Sequence, residues 1–230
     1  MPEYKTAPLI ANYVSGLLPE GERDRRVALT SFDSRADRTK IPGREVICYE
    51  CGRRSRVPAA ALSANCVHCH AHLRMTDIDL KPNSARLTVR TLGNVTVLPE
   101  AILSQLSIVC HNLYLLGKGS GTFRCSGMLK ISSDSKVDGD VTAGALLVER
   151  GADVIFVHGV KARTVEIYGR VTGRVEAAGN VVLHRGAELC GNCYAPMLIV
   201  RPGATHRGGW QKISPADADL PLLDELPPEV

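Results

Sequence analysis

The chain has 230 residues, of which 44% are hydrophobic and only 4% aromatic, and its formal net charge is +4. Length and apolar content fit one or two globular domains, whereas the scarcity of aromatic residues excludes a large aromatic core. The modest charge argues against a protein that binds nucleic acid mainly through a strongly basic surface.

The first forty residues mix charges without periodicity, and we interpret residues 1–40 as a disordered arm. Its most apolar stretch, from Ala7 to Leu18, is short, is interrupted by polar residues and lacks the features of a signal peptide. It is either an inert linker or a weak binding segment for a membrane surface or a protein partner. Without an export signal we expect a cytoplasmic protein, membrane-associated if the arm binds there, whose eight cysteines stay reduced.

Four cysteines predict a zinc ribbon over residues 44–75. They are Cys48, Cys51, Cys66 and Cys69, and they form the pattern C-x2-C-x14-C-x2-C. A two-residue gap lets both thiolates of a tight turn face one ion, and two such turns complete a tetrahedral Zn²⁺ site. Gly52 follows the first pair, where a knuckle needs an unusual backbone angle. We therefore expect one structural Zn²⁺ per chain.

Other interpretations of this module remain open. The four cysteines could instead be buried structural residues, but such residues would not favour two regular CxxC pairs in a stretch so poor in apolar residues. They could also form a redox motif, but no βαβ pattern surrounds them. His68, His70 and His72 surround the second pair and are interpreted as surface residues, since four thiolates already complete the shell. Nearby arginines also suggest a nucleic-acid-binding ribbon, but no aromatic residues are interleaved for base stacking.

From Thr76 to residue 210 the chain repeats every 17 or 18 residues. We write each repeat as one line of sequence. Seven of these lines begin at Asn94, Asn112, Leu129, Leu146, Thr164, Val181 and Leu198, and five of the seven have Gly at the sixth position. Each line opens with two apolar residues in alternation, such as Val95 and Val97, which is the period of a strand with one buried face. Such a fixed period is typical of a stacked repeat rather than of an antiparallel sandwich.

Two further apolar columns follow in each line. The second column is Val137, Val154, Val171 and Leu189, and the third runs from Leu106 and Ile108 through Phe123 and Cys125 to Cys193 and Ala195. Three strands with corners between them form a triangular coil. We therefore predict an all-β chain, with a β-helix solenoid of about eight coils over residues 76–210, a rod about 35 to 40 Å long.

Three short segments carry a family resemblance. Val137 to Val141, Val171 to Val175 and Leu189 to Cys193 follow the form V-x-G-x-V, and the corners around them contain Arg-Gly-Ala or Pro-Gly-Ala. Together these closely resemble the bactofilins, bacterial polymer-forming cytoskeletal proteins. The resemblance implies a right-handed triangular β-helix that joins end to end into filaments without nucleotide, with disordered flanking tails and no catalytic residues. The cysteine module and the segment from Val154 to His158 depart from the family pattern.

The predicted function is that of a scaffold. A solenoid end exposes unpaired backbone groups and an apolar cross-section, so we expect self-assembly through the ends. The ribbon lies within about 20 Å of the first coil and either caps that end or binds a partner. Residues 211–230 are interpreted as a disordered acidic tail.

The main alternative from another class is a hexapeptide-repeat acyltransferase. Such enzymes repeat strictly every six residues, whereas most coils here have 17. The histidines at 111, 158, 184 and 206 fall at different points of their coils and do not line one groove. Cys125, Cys190 and Cys193 fit the repeat as packing residues, with Cys190 facing outward and Cys193 inward.

Overall fold

The computed structural model describes residues 42–82, 84 and 88–214. The predicted arm at 1–40 and all but the first four residues of the predicted tail lie outside this part of the chain. Within it every regular element is a β-strand, which confirms the all-β prediction, and no helix there is long and apolar enough to cross a membrane.

Two antiparallel hairpins form the N-terminal module. β1 (Gly43–Ile47) pairs with β2 (Arg54–Pro58), and β3 (Ser63–Asn65) pairs with β4 (His72–Arg74). Their shared core is small, because its buried members are only Cys48, Val57, Cys66, Leu73 and Met75. The cysteine cluster at residues 48–69 within this module fits a small ribbon.

The rest of the described chain is a three-faced β-solenoid. Its strands are β5 (Ile78–Leu80), β6 (Thr88–Arg90), β7 (Asn94–Val97), β8 (Ile102–Cys110), β9 (Asn112–Leu115), β10 (Lys118–Ile131), β11 (Ser135–Val137), β12 (Val141–Val148), β13 (Asp153–Phe156), β14 (Val160–Ile167), β15 (Arg170–Thr172), β16 (Val175–Ala177), β17 (Asn180–Leu183), β18 (Glu188–Cys190), β19 (Cys193–Tyr194), β20 (Met197–Val200), β21 (Thr205–Arg207) and β22 (Trp210–Gln211). All pairings between them are parallel and link successive coils. This arrangement confirms the predicted solenoid of about eight turns.

The strands that open each line form the first face, and their register is the predicted one. Val95 lies opposite Leu113, and the ladder continues through Leu129, Leu146, Val165 and Val181 to Leu198. A second inward ladder runs from Val97 through Leu115, Ile131, Val148, Ile167 and Leu183 to Val200. Because each strand alternates strictly between core and solvent, period two fixed both ladders.

The second face, β11-β13-β15-β18-β21, corrects the predicted column. Val154 lies opposite Ser135, and Val137 lies opposite Phe156, so Val137 and Val154 do not share a rung. Five residues separate Val148 from Val154, whereas three separate Ile131 from Ser135, and this difference shifts β13 by two positions. The Arg-Gly-Ala corner thus changes the local register while the overall period remains near 17.

The third face also differs in its first rungs. Ile108 and Cys110, rather than Leu106 and Ile108, lie opposite Phe123 and Cys125. Leu106 instead faces Gly121, beside a register shift and next to Gln105, which has a positive φ of 57°. From Phe123 onward the predicted inward pairs are correct, and small residues such as Ala143 and Ala162 fill the column.

The glycine of each V-x-G-x-V segment occupies the corner between the second and third faces. A Cβ on Gly191 would lie 2.1 Å from the carbonyl oxygen of Gly173, and one on Gly208 would lie 2.1 Å from that of Gly191. Gly173 and Gly191 also have φ values near 140°, which L side chains rarely adopt. Backbone stacking at this corner therefore requires a residue without a side chain.

Replacing Gly191 with Ala should destabilise the solenoid by about 3 kcal/mol or more, since it adds a backbone clash to a strained φ. Gly186→Ala is the matched control, because Gly186 also has a positive φ of 85° but its Cβ would meet nothing within 4 Å. We expect the control to cost only about 1 kcal/mol. Denaturant midpoints followed by circular dichroism compare the two, and equal midpoints would contradict the stacking argument.

Candidate metal centre and exposed solenoid end

The four predicted metal ligands converge. One ligand atom from each of Cys48, Cys51, Cys66 and Cys69 lies within 4.8 Å of the others. Two of the sulfur–sulfur distances, Cys48 to Cys69 and Cys51 to Cys66, are 3.7 Å. A tetrahedron of thiolates about 2.3 Å from Zn²⁺ has edges of about 3.8 Å. The sulfur set therefore fits a tetrahedral ion such as Zn²⁺.

Both CxxC turns have the same backbone hydrogen bonds. The N–H of Gly52 donates to the carbonyl of Cys48 at 2.9 Å, and the N–H of His70 donates to that of Cys66 at 3.0 Å. Gly52 has a φ of 70°, as its position in the sequence predicted, and His70 has a φ of 59°. No feature of the sequence predicted the second case, since a histidine with positive φ is uncommon.

Each turn also directs a backbone N–H at a sulfur. The N–H of Glu50 lies 3.4 Å from the Sγ of Cys48, and the N–H of His68 lies 3.4 Å from that of Cys66. Such donors favour the thiolate over the thiol. The two turns are therefore built alike to present negatively charged sulfur to one cation.

The two buried thiols differ in pKa. Burial raises the pKa of Cys48 to about 12. Burial also raises that of Cys66, but hydrogen bonds from the N–H groups of Cys69 and His68 and from the Ser55 hydroxyl outweigh it, and the pKa falls to about 6. Four adjacent thiolates repel one another, so a bound cation is needed for all four to ionise.

The neighbouring histidines do not join this cluster. The Nε2 of His68 contacts the carbonyl oxygen of Arg54 at 3.2 Å, and the Nδ1 of His72 contacts the side-chain oxygen of Asn65 at 3.3 Å. All three histidines predicted to lie on the surface are exposed. Arg44, one of the basic residues considered for nucleic acid, donates to the carbonyl of Ala61 and to the sulfur of Met75.

The remaining CxxC pair is divided between two faces of the solenoid. Cys190 is half-buried on the second face beside Glu188, while Cys193 is fully buried on the third. Burial raises the pKa of both thiols, that of Cys193 to about 11. Such thiols are poor metal ligands and poor nucleophiles at neutral pH. Cys110, which the sequence interpretation did not single out, packs against Cys125 with their sulfurs 3.8 Å apart.

The ribbon contacts the side of the solenoid near its first coil, which we define as the described residues between 76 and 93. A cleft of about 330 Å³ lies between residues 44–49 of the ribbon and the corner between the third and first faces. That corner contributes Leu92, Val109, Cys110, His111 and Ser126, from three successive coils. Among the described strands, β5 pairs only with β7 and β6 only with β8.

The opposite end of the rod exposes its core. Val200 continues the inward ladder in which Leu183 is fully buried, yet it is 45% exposed. Trp210 continues the ladder of Val175 and Cys193 on the third face and is 48% exposed. Both belong to the terminal coil, residues 197–211, whose strands pair only with the preceding coil among the described strands.

Comparison with known proteins identifies the solenoid. The family model for bactofilins, described as polymer-forming cytoskeletal, matches residues 155–211. This part of the solenoid matches the bactofilin family. Bactofilin BacO of Myxococcus xanthus is 28% identical over 93 residues, which cover 34% of this chain and 74% of that protein. No solved structure matches the chain. The family match, residues 155–211, covers the coils that end in the exposed terminal coil.

Replacing both Cys48 and Cys51 with Ser should remove one metal ion per chain, because two thiolates cannot hold a tetrahedral site. The coils from Val141 onward should keep their circular dichroism signal, since they bury a core of their own. The matched control replaces Cys190 and Cys193 with Ser and should leave the metal content unchanged. Elemental analysis measures both. Metal retained in the first variant, or lost in the control, would refute the assignment.

Proposed function

We propose that this protein is a nucleotide-independent scaffold that polymerises through the ends of its solenoid, with the C-terminal end as the primary contact. The observation that carries the proposal is the exposure of Val200, which occupies a core position but has no described strand beyond it. The family description as polymer-forming cytoskeletal supports the same function. Because the family description names a structural role and the bactofilin resemblance brings no catalytic residues, we infer that the protein is not an enzyme.

Two forces favour association at this end. The inward side chains of the terminal coil lose contact with water when a second end covers them. The free backbone edges of β20, β21 and β22 gain hydrogen-bond partners, as in any exposed strand edge that finds another strand. By contrast, Leu80 and Val89 of the first coil are almost completely buried. The exposed apolar surface therefore favours the C-terminal end as the primary contact.

We further propose that the ribbon binds one structural Zn²⁺ through Cys48, Cys51, Cys66 and Cys69. Its lateral contact with three coils and the absence of described ribbon strands on the edges of β5 and β6 support a module beside the rod. That position leaves the ribbon available to bind a protein partner, whether or not this partner is bound to a membrane. A cap over the whole N-terminal end has less support, because no described ribbon strand pairs with β5 or β6. Nucleic-acid binding also has less support, because Arg44 is engaged within the ribbon.

The histidines of the solenoid lend no support to the acyltransferase alternative. His111 contacts Ser126, His184 stacks on Tyr168, and His206 contacts the carbonyl of Gly191. These contacts lie on different corners and faces of the rod. The eight cysteines are unpaired, and we infer a reducing compartment, the cytoplasm, for this protein.

Purified protein should form sedimentable polymers in buffer without ATP or GTP. The reason is that the association surface is built from apolar side chains and backbone groups, which need no nucleotide. Sedimentation and negative-stain microscopy at tens of micromolar test this. A monomer at that concentration would contradict the proposed function.

Val200→Asp should weaken polymerisation strongly, because a carboxylate would be buried without a partner at each junction. A cost of about 3 kcal/mol would raise the concentration needed for assembly roughly a hundredfold. The matched control is Val157→Asp, since Val157 is 50% exposed but lies on the side of the rod. The control should pellet like the unmodified protein. Equal sedimentation of the two variants would exclude this end as the contact.

A further inference from the structure

An ion pair links the ribbon to the first coil, and its acidic member lies in the first CxxC turn. Glu50 lies between the ligands Cys48 and Cys51, and its carboxylate accepts a hydrogen bond from Arg90 at 2.6 Å. Arg90 ends β6, the strand of the first coil on the third face. Because the two side chains are 37% and 41% exposed, this pair positions the two modules more than it stabilises them.

Backbone contacts from the second hairpin reach the same corner. The N–H of Leu92 donates to the carbonyl of Arg74 at 2.7 Å, and the hydroxyl of Thr91 donates to that of Thr76 at 2.7 Å. In the solenoid itself, corner N–H groups bond in the same way to the preceding coil, as His111 does to Gly93. Residues 74–76 therefore substitute for a preceding coil at this corner.

Apolar packing completes the link. Leu92 packs against the buried cluster of the ribbon, and Tyr49 of the first CxxC turn belongs to the same cluster. The Tyr49 hydroxyl donates to the carbonyl of His72 at 2.6 Å, which fixes the first turn against β4. Both hairpins thus hold the corner formed by Thr91 and Leu92.

The ribbon cannot keep this shape through its own core. Two of its five buried apolar residues are metal ligands, and a cluster this small does not fold a chain segment alone. The first coil also has little support of its own, since its described strands, like those of the terminal coil, have a neighbouring strand on one edge only. Segments with few neighbours open at the lowest free energy.

We infer that metal occupancy of the ribbon controls whether the first coil is folded. With metal bound, Glu50, Tyr49 and Arg74 hold the corner at Thr91 and Leu92. Without metal the hairpins lose their geometry, these contacts are released, and residues 76–93 open while the later coils stay folded. The N-terminal end of the rod is thereby a metal-dependent surface. This inference rests on the proposed Zn²⁺ site.

Hydrogen exchange of the full chain, read by mass spectrometry, tests the inference. Metal-loaded protein is compared with protein treated with a chelator. We expect amides of residues 76–93 to exchange at least tenfold faster after metal removal, and amides of residues 160–183 to be unchanged. Unchanged exchange at 76–93, or equally faster exchange in both segments, would overturn the inference.

Two variants separate the link from general stability. Glu50→Gln should speed exchange at residues 76–93 in the metal-loaded protein while metal content stays at one per chain. Glu149→Gln is the matched control, because it breaks an ion pair with Lys130 of similar length, 2.7 Å, and similar exposure, far from the ribbon. It should leave residues 76–93 unchanged. Equal effects of the two variants would contradict the proposed path.

The same samples distinguish this inference from the proposed function. Sedimentable polymers together with metal-independent exchange would refute the inference and leave the scaffold function intact. Monomers together with metal-dependent exchange would refute the scaffold function and leave the inference intact. A chain that binds no metal would refute the inference through the Zn²⁺ site on which it rests.

Discussion

In-register stacking of parallel strands is the interaction on which the rest of this structure depends. Each coil supplies the backbone hydrogen-bond partners and the apolar floor of the next, so no coil is complete by itself. Buried ladders such as Val97 to Leu183 are the result. The same dependence has an unavoidable consequence at the last coil, where Val200 and Trp210 are placed as core residues and remain exposed. In the proposed polymer this stacking continues between chains.

The two modules solve the problem of small size in different ways. The solenoid adds coils until a continuous core is buried, and it uses small side chains such as Ala143 and Cys125 where space is limited. The ribbon has too few apolar residues for this, and its four sulfurs are arranged instead for a metal ion. The Glu50–Arg90 ion pair and the hydrogen bond from Leu92 to Arg74 join the two modules at one corner.

Much of this architecture could be predicted from the sequence. Period two within lines, repeated at 17 or 18 residues, was enough to place both inward ladders of the first face. The CxxC spacing identified the sulfur cluster and Gly52 as its special backbone position. These signals are strong because they depend on residue type at fixed spacing.

Other features depend on tertiary contacts and left no such signal. Three residues separate Ile131 from Ser135, but five separate Val148 from Val154. An average period cannot show where the extra residues lie. His70 adopts a positive φ that the metal turn requires and that histidine does not announce. The glycine at the centre of V-x-G-x-V was visible as a motif, but its cause, a carbonyl 2.1 Å from the missing Cβ of Gly191, appears only when coils stack. Sideways packing of the ribbon against three coils could not be deduced from linker length.

The axial structure of the polymer tests the central claim most directly. If coils stack across the junction as they do within the chain, cryo-electron microscopy of the filaments should show the spacing of about 4.8 Å continuing through each contact between chains. Each chain should then add about 38 Å per eight coils along the axis. Chains joined side by side, or junctions where the strand spacing is interrupted by more than one coil, would contradict the account.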